Sequence, residues 1–175
     1  DDGAVVTWGD PERGGDSNKV RNELLGGVKY VCAFAALKED GSVVTWGHRD
    51  QGGDSRAVRE QLLSGVQQIS ATESAFAALK GDGSVTAWGK SAHGGDASAV
   101  ERKLLRDVRH VYSNKAAFAA LKADNSVVTW GDEDCGGDSS AVQDELTELN
   151  ASPVVSIYSN PFAFAALRAD GSLIT

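Results

Sequence analysis

Histidines, cysteines and paired acids are the side chains in this sequence whose types could do chemistry. His48, His93 and His110 could act as bases or metal ligands. They stand at non-equivalent places, and no Ser/His/Asp or His-x-x-x-His grouping surrounds them. Cys32 and Cys135 also fall at different points of the pattern. A disulfide framework or a zinc site would use even sets at set spacing, so reduced, incidental thiols are the expectation. Gly47-His48-Arg49-Asp50-Gln51-Gly52-Gly53 has the glycine spacing of a phosphate loop. It lacks the lysine, and Asp54 stands where a phosphate would sit, so electrostatics oppose that use. The pairs Asp40-Gly41, Asp82-Gly83 and Asp170-Gly171 could suggest calcium. Calcium needs six or more converging oxygens, and no alternating acidic run supplies them. The expectation is no catalytic residue, no cofactor and no metal ligand.

The aromatic residues carry a stronger pattern. The only tryptophans, Trp8, Trp46, Trp88 and Trp130, lie 38, 42 and 42 residues apart, and Phe34, Phe76, Phe118 and Phe164 lie 42, 42 and 46 apart. One ring per period could form a ladder that stacks flat molecules such as sugars or pigments. Alternatively each ring is a core anchor, burying on the order of 200 Å². Both readings stand at this point.

A fixed period of this length marks a solenoid, propeller or array. Each period reads in steps. A short apolar pair comes first, Val66 with Ile69, Val108 with Val111, or Val155 with Ile157, and suggests a short strand. Ala75-Phe76-Ala77-Ala78-Leu79 follows as a strand apolar on both faces, its alanines leaving room for a close neighbour. Glu39-Asp40-Gly41-Ser42 and its equivalents predict a hairpin with a type I′ turn, Asp124-Asn125 replacing Asp-Gly in one copy. The return strand Val43-Val44-Thr45-Trp46 is β-branched and aromatic. Gly52-Gly53 then precedes Asp54 or Ser55 as N-cap of a helix of about ten residues, with Val58, Leu62 and Leu63 as its apolar stripe. The departures from 42 fall just before the phenylalanine, with four residues lost around Tyr30-Val31-Cys32 and four gained around Asn150-Ala151-Ser152-Pro153.

The expected fold is therefore an α+β repeat protein of about four tandem strand/β-hairpin/short-helix units, stacked as an open array. Residues 1–175 form a single domain with units near 1–33, 34–75, 76–117, 118–163 and 164–175. It begins and ends inside a repeat, as part of a longer repeat chain would. The anchors are the four tryptophans and Phe34, Phe76, Phe118 and Phe164.

The run Phe-Ala-Ala-Leu-Lys-x-Asp-Gly-Ser-Val-x-x-Trp-Gly resembles the repeat of the regulator-of-chromosome-condensation family. The resemblance covers the hairpin half of each unit, while the helix half departs from it. It implies blades or an arc of a β-propeller as the alternative architecture. Because Ala4 to Trp8 and Ser172 to Thr175 supply the same strand, an open array or an arc of a larger ring fits better than closure. The resemblance implies a regulatory or exchange factor only by analogy, since none of that family's functional residues can be placed on this chain.

Composition limits the partners. Seventeen Lys and Arg against 25 Asp and Glu leave a net charge of −8, which would repel a nucleic-acid backbone. No apolar run approaches the roughly 18 residues of a membrane span. The variable surface is the four-residue loop between Trp-Gly and Gly-Gly-Asp. It reads Asp10-Pro11-Glu12-Arg13, His48-Arg49-Asp50-Gln51, Lys90-Ser91-Ala92-His93 and Asp132-Glu133-Asp134-Cys135. A rigid scaffold that varies its loop tips is how repeat proteins build binding surfaces. The expected function is a non-enzymatic scaffold or accessory subunit, bound to a protein partner or a larger assembly.

Overall fold

The computed structural model describes residues 3–32, 34–147 and 152–175; Asn150 and Ala151 of the longer last connection lie outside them. The described residues form four three-stranded antiparallel sheets, each in simple up-down-up order. The first holds β1 (Val28–Cys32), β2 (Ala35–Lys38) and β3 (Val43–Thr45), and the second β4 (Val66–Ala71), β5 (Ala75–Lys80) and β6 (Val85–Gly89). The third holds β7 (Val108–Ser113), β8 (Ala117–Lys122) and β9 (Val127–Gly131), and the fourth β10 (Val154–Asn160), β11 (Ala163–Arg168) and β12 (Leu173–Ile174).

The apolar pairs prove to be the buried positions of full first strands. Each first strand has a register shift after its leading valine, at Val66/Gln68, Val108/His110 and Val154/Ser156. A bulge adds one residue to the alternation. Positions three apart therefore face inward together, and Val66, Ile69, Val108 and Val111 are all buried. In the last copy the bulge corrects the expected pair: Val154 and Ile157 point inward while Val155 is exposed.

The hairpins also differ from the type I′ expectation. Gly41 and Gly83 have φ of 78° and 80°, but among non-glycine residues only Asp107 and Asn125 have positive φ, so Asp40 and Asp82 do not. Gly41 N–H donates to the Lys38 carbonyl and Lys38 N–H to the Ser42 carbonyl. This is the three-residue hairpin loop, a type I turn followed by a left-handed residue. The aspartate stabilises it from its side chain, where Asp40 Oδ1 accepts from Ser42 N–H at 2.9 Å and Ser42 O–H at 2.7 Å.

The expected ten-residue helix is shorter and tighter. It is a 3-10 helix at Asn18–Leu24 and at Arg56–Leu62. In the later copies a 3-10 turn leads into α1 (Glu101–Leu104) or α2 (Gln143–Thr147). Asp54 Oδ1 accepts from Arg56 N–H at 3.1 Å, and Asp96 and Asp138 repeat that contact. Only the first leucine of each pair packs inward. Leu24, Leu62 and Leu104 are buried while Leu25, Leu63 and Leu105 are exposed, so a short turn presents one apolar edge rather than a stripe.

The core lies between sheets. Ala75, Ala77 and Leu79 of β5 pack on Leu104, Val108, Val111, Phe118 and Trp130 of the next unit. Phe76 and Ala78, on the opposite face of β5, pack with Ala35 and Leu37 of the unit before. Each central strand is thus covered on both sides, and its alanines let the sheets approach closely. Burying a Leu, Val or Phe in this way contributes about 1.5–3 kcal/mol each. Neighbouring units are also tied by backbone bonds, with Val66 N–H on the Gly41 carbonyl and Val108 N–H on the Gly83 carbonyl.

Candidate functional site

The four variable loops share one backbone. Each follows an extended cap residue, Asp10, His48, Lys90 or Asp132, with ψ between 117° and 129°. Each then makes one 3-10 turn and ends on a left-handed glycine, Gly14, Gly52, Gly94 or Gly136. In three of them the cap side chain accepts a backbone N–H two residues on: Asp10 from Glu12, His48 Nδ1 from Asp50, and Asp132 from Asp134. Lys90 makes no such bond and instead lies 3.2 Å from His93 Nε2.

The second loop meets the end of β6 and the start of the third loop in a groove of about 940 Å³ lined by Arg49, Asp50, Asp54, Arg56, Trp88 and Lys90. Arg56 forms a two-pronged contact with Asp54 at 2.8 and 2.6 Å, and Arg49 approaches the same carboxylate at 3.4 Å. The hydrogen bonds from Arg56 hold the Asp54 carboxyl well below the usual carboxylate range. At this exposure such pairs add little stability, and their effect is to fix the direction of the guanidinium groups. Asp10 pairs with Arg13 at 3.7 Å, while Glu133 and Asp134 are exposed. The structure therefore brings Arg49, Asp50 and Lys90 together and leaves the Asp10 and Asp132 loops as separate tips.

His110 lies outside this face, on β7 beside Gln68 and with its ring 4.4 Å from that of Tyr112. Burial lowers its pKa. Burial likewise pushes the thiols of Cys32 and Cys135 upward, and both are free. Among the described residues no group of three or more His, Cys, Asp or Glu could hold a metal, and no helix is long and apolar enough to cross a membrane.

Three of the four tryptophans pack as core rings and not as a ladder, while Trp8, expected as an anchor, is 83% exposed. Trp46, Trp88 and Trp130 are 6%, 4% and 4% exposed, which leaves no ring face for a flat ligand. Trp88 stacks on Phe76 and Trp130 on Phe118 at 5.2 and 5.1 Å. Their indole N–H groups donate to the carbonyls of Gly14, Gly52 and Gly94, each one unit earlier in the chain. This latch was missed in the sequence because glycine spacing alone does not say which carbonyl faces which indole. A second latch was missed too, with Thr72 O–H donating to the His93 carbonyl and Asn114 Nδ2 to the Cys135 carbonyl.

This arrangement of stacked three-stranded sheets resembles the repeats of the yeast RCC1 protein Prp20 in fold. No protein-family model matches the chain, and no curated protein matches it. Among solved structures it is similar to human WBSCR16 (TM-score 0.55, 21% identity), covering 99% of this chain and 56% of that one. It is also similar to Prp20, the yeast RCC1, bound to Kap60 (TM-score 0.51, 18% identity), covering 79% of this chain and 40% of that one. A second structure, of Prp20p from Saccharomyces cerevisiae, described with its binding to Gsp1p and histones, matches at TM-score 0.50 and 21% identity over 79% and 41%. The chain spans less than two thirds of each of these proteins, and at these identities the likeness is one of fold.

Proposed function

We propose that this chain is a non-enzymatic repeat scaffold or accessory subunit that binds a protein partner through its loop tips. One observation carries the reading: four loops of the same backbone conformation stand in series while their side chains change character. The Lys90 loop is basic, the His48 loop mixed, and the Asp132 loop acidic with three carboxylates. A common backbone with graded charge suits a protein surface of complementary pattern, since charge matching sets partner choice more than raw affinity. The partners named for Prp20 in its structures, Kap60, Gsp1p and histones, are proteins, which agrees with this reading. The acidic balance of the chain opposes direct contact with nucleic acid. The units form one tandem-repeat domain stacked as an open array, part of a longer repeat chain or a larger assembly.

The test exchanges loop contents without touching the frame. Swapping His48–Gln51 with Asp132–Cys135 keeps every glycine and tryptophan. Affinity capture from native extract, with the parent and swapped chains compared, should lose the specific partner while circular dichroism stays unchanged. An identical captured set for both chains would sink the proposal.

A further inference from the structure

The groove between the second and third units carries a charge that its equivalents lack. Aligned on Trp-Gly, the positions of Arg49, Arg56 and Lys90 hold Pro11, Asn18 and His48 one unit earlier, and Ser91, Ser98 and Asp132 one unit later. Asp50 and Asp54 correspond to Glu12 and Asp16, and to Ala92 and Asp96. With histidine neutral, these five positions carry +1 around the groove and −2 at each neighbouring boundary, in a chain of net charge −8. The frame is the same at all three boundaries, so the sign is set by the side chains alone.

The two carboxylates of the groove do not stand alike. Asp54 takes Arg56 Nε and Nη2 and lies 3.4 Å from Arg49 Nε. Its side chain is 20% exposed, whereas Asp16, Asp96 and Asp138, without arginines over them, are exposed residues. The charge of Asp54 is thus met within the protein, and it aims two guanidinium groups whose side chains are 78% exposed. A guanidinium has five N–H donors in a planar fork, more than Asp54 takes from either arginine, and the rest suit a carboxylate. Lys90 Nζ, 3.2 Å from His93 Nε2, keeps further donors of its own. Among the described residues Asp50 has no cation paired to it. Beside these charges the walls are apolar, formed by Ala57, Val58, Ala87 and the edge of Trp88.

We propose that this groove binds a short acidic segment of a protein partner, with carboxylates on Arg49, Arg56 and Lys90 and an aliphatic side chain against Ala57, Val58 and Ala87. A groove of about 940 Å³ with apolar walls is larger than a lone anion needs. A nucleic-acid strand would run its charge past the groove onto boundaries of −2, where it is repelled. A short acidic segment keeps its charge where the cations are. Placing that segment in a protein partner rests on the loop-tip reading, and it names the chemistry one part of that surface selects. Arg56 stands outside the four variable loops, so the recognition extends beyond the loop tips.

The experiment measures fluorescence anisotropy of a labelled Glu-Glu-Val-Glu-Glu peptide titrated with the purified chain, in low-salt buffer where exposed charges are least screened. The same peptide with glutamine for glutamate, and a thymidine hexanucleotide, serve as comparison probes. The acidic peptide should bind more tightly than either. The variant Arg49→Ser, Arg56→Ser, Lys90→Asp installs the residues of the next boundary and should weaken acidic-peptide binding about tenfold, which is about 1.4 kcal/mol and the order expected for three exposed charge pairs. Asp50→Asn removes the unpaired carboxylate and should tighten binding about twofold, a gain that misfolding cannot produce. Equal affinity for the acidic and glutamine peptides, tighter binding of the oligonucleotide, unchanged affinity in the triple variant, or weaker binding by Asp50→Asn would each overturn the proposal. Circular dichroism checks the fold of both variants. Because the titration needs no native partner, the two readings fail separately. A loop-dependent captured partner without acidic-peptide binding overturns the groove assignment alone, and acidic-peptide binding with an unchanged captured set overturns the loop-tip reading alone.

Discussion

The indole N–H of Trp88 donates to the carbonyl of Gly52 at 3.0 Å across the boundary between two repeats. That single contact ties the end of one hairpin to the loop that precedes it by most of a repeat. It explains why tryptophan and the glycine pair recur with the same period. Trp88→Phe keeps the stacked ring over Phe76 but removes the donor, stranding a buried carbonyl. The expected loss is ~1–3 kcal/mol of unfolding free energy, read as a lower urea midpoint. Trp8→Phe, at an exposed ring with no such bond, should change stability by less than about 0.5 kcal/mol.

The glycine beneath the ring should tolerate nothing larger. A Cβ on Gly52 would sit 2.4 Å from the Phe76 ring, at a φ of 85°. Gly136 has the same φ, but a Cβ there would meet Phe164 at 3.1 Å. Gly52→Ala and Gly136→Ala therefore carry the same backbone strain and differ in the aromatic clash. Gly52→Ala should cost more than ~1 kcal/mol and Gly136→Ala distinctly less. Equal losses in chemical denaturation would mean that the ring contact contributes nothing.

Acid should loosen the hairpins. Hydrogen bonds from Ser42, Ser84, Ser126 and Ser172 lower the pKa of Asp40, Asp82, Asp124 and Asp170. For a lowered folded value, the stabilisation is present above the unfolded value of about 3.9. It is lost as pH falls through the lower folded values. Urea midpoints should therefore be level near neutrality and drop below about pH 4. Replacing all four with Asn keeps an acceptor at each turn and should flatten that drop.

The cysteines should separate by accessibility. Cys135 is 6% exposed and Cys32 half-buried, and burial raises both thiols. The thiolate is the reactive form, so both should alkylate slowly at neutral pH. Cys32 should react first in the native protein, and Cys135 at a comparable rate only in denaturant. Mass spectrometry of timed alkylation checks the order.

Much of the frame is written in local chemistry. The β-branched return strands, the Asp-Gly turns and the Gly-Gly-Asp caps depend on backbone preferences that neighbours in sequence satisfy. The repeat, its strands and its variable loops could therefore be read from the chain. The type of hairpin could not, because Asp-Gly serves both a type I′ turn and a type I turn with a left-handed glycine. The structure distinguishes them at Asp40, whose φ is not positive, while a Cβ on Gly41 would come within 2.8 Å of the Gly65 nitrogen and so keeps that position glycine. The helix was overdrawn for a similar reason. Leu62 and Leu63 read as one stripe in sequence, while packing space exists only for Leu62.

By itself the sequence determined the period, the strand faces and the four loops whose residues change. These follow from turn chemistry and from alternation along a strand, both short-range effects. The partner of each indole was decided only by tertiary structure, because a hydrogen bond spanning 36 residues, as between Trp88 and Gly52, depends on how whole sheets stack. That stacking buries Trp46, Trp88 and Trp130 and leaves Trp8 in solvent.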